Sequence, residues 1–209
     1  MSSAGEACLA RPKRRIEASD LMPMEAYGKE RKARRGAISE IKRNRRVEVG
    51  PFATFYFECY ETMWMQIHEM LFVERGGADQ VPGELAAYNP LIPQGRELIA
   101  TLMFEIEDPL ARSRALARLG HAEDTIELDV GGQIIKSEPV DHDTERTNEE
   151  GKTSSVHFIR FKFDDEAIRR FKAAGTRVML GFTHPNYAHL AVMPEAVRAA
   201  LAEDLDPPV

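Results

Sequence analysis

The sequence predicts an α+β fold: a mixed, largely antiparallel sheet of about six or seven strands, with helices packed on it and a basic N-terminal helix ahead of it. Three observations predict it. Short runs alternate apolar and polar residues with the period of a strand. Several of these runs are neighbours around turn signals, Gly50-Pro51 and Gly131-Gly132. Segments of helical period, with acidic starts and glycine stops, lie between them. At 209 residues the chain can build one sizeable core, read here as a single domain over 18–206 behind a basic tail, 1–17.

The elements follow in order. Residues 1–15 are small and basic without periodicity. Ser19 or Asp20 can cap a helix from about Leu21 to Arg45, with Pro23 tolerated in its first turn and a break expected near Gly36. RVEVG (46–50) and ATFYFEC (53–59) then read as a hairpin. In its second strand Ala53, Phe55, Phe57 and Cys59 share one face and Thr54, Tyr56 and Glu58 the other. A helix over 60–75 stops at Gly76-Gly77. A short helix over 82–88 leads into the loop YNPLIP. RELIATLMFEIE (96–107) carries apolar residues on both faces and is expected to be a central strand covered on both sides. DPLARSRALARLG (108–120) is a helix, and DTIELDV with QIIKSEPV a hairpin. The polar stretch 141–152 is expected to be a mobile loop. SSVHFIRFKF is a strand, DDEAIRRFKAAG a helix, and RVMLGF and HLAVM two strands joined by THPNYA. Pro194 opens the last helix.

Composition excludes several classes. The hydrophobic and charged fractions, 43% and 30%, are those of a soluble globular protein. No apolar run approaches the roughly 18 to 20 residues that span a bilayer, and the N-terminus has no secretory signal. Two cysteines, Cys8 and Cys59, make neither a disulfide framework nor a four-thiolate metal site. A cytoplasmic, reducing compartment is the simplest expectation. The net charge of -6 is uneven: residues 1–50 hold 13 Lys and Arg against 7 acids, +6, which leaves -12 on the rest. Such polarity can mark an outside partner, or a basic helix lying across its own acidic body.

Four places can carry chemistry. In WMQIHEMLFVER (64–75), His68-Glu69 begins a zinc-protease motif whose second histidine is replaced by Phe72. At about 100° per residue, Met63, Trp64, Ile67, Met70 and Leu71 share the core sector. His68 lies at its edge, in line with Glu61 and Arg75, and Glu69 points away. The bland alternative for His68 is a boundary histidine bonded to a neighbour. In THPNYAH (183–189), a Pro185-Asn186 turn places His184, Tyr187 and His189 close together as metal ligands or a proton-transfer pair, or as an ordinary hairpin tip. His157 lies on a largely apolar strand face, where a histidine is more often core than ligand. Should the sheet bring it to the 184–189 turn, a carboxylate such as Glu105 or Glu58 would complete a site of the kind that holds non-haem iron. Tyr88 and Asn89 in YNPLIP can anchor a ligand in a pocket near 88–93; the bland alternative is a loop that plugs the core. The basic stretch 29–46, with Arg34, Arg35, Arg45 and Arg46, can bind phosphates, but no aromatics interleave with it as platforms for bases, which argues against nucleic acid. Phosphate-binding glycine loops, the G-x-S-x-G elbow and C-x-x-C are absent from the sequence.

With these residues in hand the chain resembles the bacterial domain-of-unknown-function family 3501. The resemblance rests on RRVEVGPFATFYFE, QIHEML-x-VE (66–74), ELAAYNPLIPQG (84–95), KTSSVHFIRF (152–161) and HPNYAHLAVMPEAVRAAL (184–201), and covers roughly 18–205. No catalytic residues can be carried over from that family. Its gene context implies rubrerythrin-like or iron–sulfur oxidoreductase partners. The leading expectation is therefore an accessory protein in a redox or metal-handling context, holding iron or zinc through His68, His157, His184 and His189, with Glu61, Glu105 and Tyr187 as polar neighbours. The rivals are a non-catalytic module docking an acidic protein or nucleic acid through 29–46, and a small-molecule enzyme with its pocket near 88–93.

Overall fold

Period-two alternation resolves into nine strands among the described residues, which in this computed structural model are 13–140, 147–148 and 151–209. After a 3-10 turn at Ala18–Asp20 comes α1 (Met24–Arg43), then the hairpin β1 (Arg46–Val49) and β2 (Ala53–Phe57). Next are α2 (Tyr60–Glu74), α3 (Val81–Tyr88) and β3 (Glu97–Phe104). α4 (Pro109–Leu116), β4 (Ile126–Val130), β5 (Gln133–Lys136) and β6 (Glu138–Pro139) follow. The chain ends with β7 (Val156–Lys162), α5 (Asp165–Lys172), β8 (Val178–His184), β9 (Tyr187–Val192) and α6 (Glu195–Ala202).

The fold is α+β, as expected, but the strands form two antiparallel sheets in place of one sheet of six or seven. One has the order β1-β2-β3-β7-β6 and the other β5-β4-β8-β9. Alternation shows which side chains share a face; it does not show which strand pairs with which. β3 is central, between β2 and β7, and covered on both sides. Its even residues Leu98, Ala100, Leu102 and Phe104 join the main core with Phe55, Phe57, Leu128, Leu180 and Phe182 from both sheets. Residues of α4, α5 and α6, among them Leu116, Phe171 and Leu201, belong to this core. The odd residue Ile99 joins a second core under α2 and α3, with Met63, Ile67, Leu71, Leu91 and Ile92. The apolar loop YNPLIP thus contributes Leu91 and Ile92 to that core.

α1 packs on α2 and is one unbroken helix. Gly36 sits on its exposed side, where a missing side chain costs only propensity and does not break the helix. α2 begins with a reciprocal cap, in which the Cys59 N–H donates to Thr62 Oγ1 at 2.9 Å. It ends on Arg75, which itself takes the left-handed conformation, ahead of the glycines expected to stop it. Ile16, placed in the tail by its basic surroundings, is fully buried in the second core. Most of the loop 141–152 lies outside the described residues. No helix among the described residues is long and apolar enough to cross a membrane.

Candidate functional site

The four histidines stay apart, each committed to its own surroundings. His68 is completely buried and not at a boundary, because the segment leading into α1 lies over it. The Met22 N–H donates to its Nε2 at 3.0 Å, so the proton sits on Nδ1 and donates to the Trp64 carbonyl at 2.7 Å. Its ring stacks 3.7 Å from that of Trp64. His157 belongs to the inner face of the first sheet, paired in register with Leu102. Its Nε2 bonds the Ser154 carbonyl at 2.9 Å, and its Nδ1 lies 3.8 Å from Glu123. Glu58 and Glu105, offered above as its carboxylate partners, belong to the outer face, so the sheet itself stands between them. Glu105 accepts from Thr54 Oγ1 at 2.7 Å and from the Tyr56 hydroxyl at 2.9 Å.

At the 184–189 hairpin, the Asn186 N–H donates to His184 Nδ1 at 3.1 Å, leaving Nε2–H for the Gly120 carbonyl at 3.3 Å. Tyr187 ties this hairpin to the β1–β2 turn. Its hydroxyl donates to the Val49 carbonyl at 2.8 Å and accepts from the Phe52 and Ala53 N–H groups at 3.2 and 3.1 Å. His189 is exposed and packs over Gly50, whose φ of +69° and lack of a side chain admit it. Glu61 is exposed. Among the described residues no group of three His, Cys, Asp or Glu side chains is placed to hold a metal ion.

The basic stretch divides by partner. Arg45 is not on a docking surface: it is only 6% exposed and donates to the carbonyls of Phe57 and Glu58 at 3.0 and 2.9 Å. It also forms an ion pair with Asp204. Arg34 pairs with Glu30 and lies over the Trp64 ring, and Arg46 reaches Glu48 at 3.3 Å. Arg31 grips Glu69 with two bonds, at 2.8 and 2.7 Å. That guanidinium, helped by the Tyr27 hydroxyl, holds the Glu69 carboxyl down at about 2. Arg35 and Lys42, one heptad apart on the same stripe of α1, have no carboxylate partner among the described residues.

Those two cations line a cleft of about 580 Å³ between α1, α2 and the edge of the first sheet, with Arg43, Arg46 and Ser39 beside them. Four residues, Lys42, Tyr56, Thr62 and Gln66, also line a second chamber of about 310 Å³, so the two adjoin across these side chains. The floor of the chamber is the outer face of the sheet, where the register aligns Tyr56 with Thr101 and Thr101 with Phe158. Met63, Leu91, Met103 and Val156 make it apolar, and Tyr88 closes one side. At its base lies Glu58, 7% exposed, whose Oε1 accepts from Thr101 Oγ1 at 2.6 Å. A cationic mouth opening into an apolar chamber with a few polar anchors is the ordinary construction of a small-molecule site.

Some of this was visible in sequence. Tyr88 was expected at a pocket wall, and Tyr56 and Glu58 on one strand face. Lys42, Gln66 and Thr101 were missed as site residues. The spacing of Arg35 and Lys42 was a usable signal, but nothing in the sequence tells that Arg34 and Arg46 have partners while these two do not.

Comparisons with known proteins agree with the geometry in offering no ready-made activity. The family model described as Protein of unknown function (DUF3501) matches residues 15–205. No curated protein matches the chain. A crystal structure of a novel protein of unknown function from Burkholderia pseudomallei K96243 is 38% identical, covers 91% of this chain and 99% of its own, and superposes with a TM-score of 0.84.

Proposed function

The chain belongs to the DUF3501 family, and we propose that this member binds a small organic anion in the cleft between α1, α2 and the first sheet. The observation that carries the reading is the pair of surplus cations, Arg35 and Lys42, facing a chamber that is apolar further in. A carboxylate or phosphate at the mouth would meet two cations that no carboxylate pairs directly, Glu69 of the same cleft being gripped by Arg31, and its apolar body would leave water for the chamber.

Calorimetric titration with benzoate and phenyl phosphate tests this. Saturable binding is expected, weakened by added salt. Arg35→Ala and Lys42→Ala should each weaken it roughly two- to fivefold, the worth of an exposed charge contact. Binding indifferent to both substitutions would refute the site. The accessory role beside rubrerythrin-like or iron–sulfur partners draws no support from the histidines, whose ring nitrogens are engaged mostly by protein groups. Docking of an acidic protein on 29–46 would use the same two cations, and ligand competition would reveal it.

A further inference from the structure

Glu58 is a carboxylate taken almost out of water with one side-chain hydrogen bond. Thr101 Oγ1 donates to Oε1, and no other group among the described residues donates to the carboxylate. A carboxylate offers about four acceptor positions; Thr101 fills one of them, and Oε2, which is not sealed off from the chamber, is left to accept from whatever enters it. The residue is not there for its backbone alone: its N–H donates to Ile99 and its carbonyl accepts from Arg45, which any side chain would permit. Its side chain lines the chamber that opens from the cationic mouth.

We propose, resting on the anion-binding reading, that the ligand is a hydroxylated organic anion. Its anionic end sits against Arg35 and Lys42, its apolar body crosses Met63, Leu91 and Met103, and its hydroxyl donates to Glu58. A neutral donor fits better than an ammonium. The Arg45 guanidinium stands behind Glu58 and Lys42 lines the chamber, so the carboxylate already has positive charge near it and lacks only a hydrogen bond. An ammonium would have to enter past the cations of the mouth, Arg35 and Lys42.

Three para-substituted benzoates share one anionic end and one ring, and differ only in the distal group: hydroxymethyl, the isosteric ethyl, and aminomethyl. Titrated into the full-length protein, the hydroxymethyl compound should bind at least about tenfold tighter than the ethyl one, the worth of a hydrogen bond to a charged acceptor. It should also bind tighter than the aminomethyl compound. Glu58→Gln should erase the preference for hydroxyl over ethyl, while Lys42→Ala weakens all three alike. Equal affinity for hydroxymethyl and ethyl, with Lys42 still required, would overturn this inference and leave the anion reading standing. Tightest binding of the aminomethyl compound would overturn the neutral-donor assignment, and a preference that survives Glu58→Gln would overturn the role of Glu58. No binding of any of the three would remove the anion reading itself. The wild-type comparison decides the matter even where Glu58→Gln fails to fold.

Discussion

His68 is kept neutral by what surrounds it. Desolvation, with the Arg34 charge adding to it and the Trp64 carbonyl opposing, holds its pKa below the usual 6.5. Protonation would also take away the lone pair that receives the Met22 N–H. Above about pH 6.5 the folded and unfolded chains are both neutral there, and the contribution to stability is complete. As pH falls through 6.5 the unfolded chain binds a proton that the folded one refuses, so stability declines until the pH reaches the lowered folded value. Urea unfolding between pH 7.5 and 5 should therefore show a midpoint that falls with pH, at a slope of at most about 1.4 kcal/mol per pH unit from this residue. His68→Gln should flatten it; an unchanged slope would mean that another group titrates. Glu69, held at about 2 against 4.5 in the unfolded chain, begins to contribute only at the acid end of this window, so the slope between pH 7.5 and about 5.5 belongs to His68 and not to Glu69. The sequence placed His68 near the core by helical period alone. It could not show that residues 20–24, far off in the chain, would close over the ring, because period describes one helix and not what covers it.

At the scale of elements, the junction of α1 and β1 is bolted to the C-terminal end of α6 by a single buried pair. Arg45 leaves the helix, caps two carbonyls at the end of β2 and meets Asp204 just beyond α6. Removing one member of such a pair strands a charge out of water. Asp204→Leu should cost roughly 3–5 kcal/mol by chemical unfolding. Adding Arg45→Met to it should recover part of that loss, since no charge is then stranded, though the carbonyls of Phe57 and Glu58 lose their donor. A double variant as weak as the sum of the two singles would show that the pair has no coupling. The alternation of β2 and β3 gave both faces of the central strand from sequence, and the glycine turns gave both hairpins. The division into two sheets was not legible, since any of these amphipathic strands could have extended the first sheet. Nor was the burial of Arg45, which in sequence is one more cation in a basic run and in space is the one that turns inward.

Across the whole molecule, the contrast between a +6 N-terminal quarter and a -12 remainder is partly settled within the chain. Arg14, Arg31 and Arg45 each reach a carboxylate outside the first 50 residues: Asp206, Glu69 and Asp204. Of the described cations in that quarter left without a carboxylate, Lys32, Arg35 and Lys42, the last two face the cleft. The same ties make the segment before α1 a strap over the second core. Arg14 bonds Asp206 at 2.7 and 2.9 Å, and the Asn89 side chain bonds Ile16 in both directions, at 2.8 and 3.0 Å. The Trp64 indole donates to the Asp20 carbonyl at 2.9 Å. Its basic, aperiodic residues read as a tail because one buried isoleucine among charges leaves no pattern. Deleting residues 1–17 should therefore destabilise the protein. The loss of Ile16 burial alone is worth roughly 1.5–3 kcal/mol, and it would uncover Leu91 and Ile92 of the second core. Calorimetric melting of the truncated chain should show a lower Tm and enhanced binding of a hydrophobic dye. Equal melting of the two chains would mean that the strap lies on the body without holding it. A chain that melts lower but binds benzoate unchanged would separate the strap, as a structural closure, from the cleft on the other side of α2.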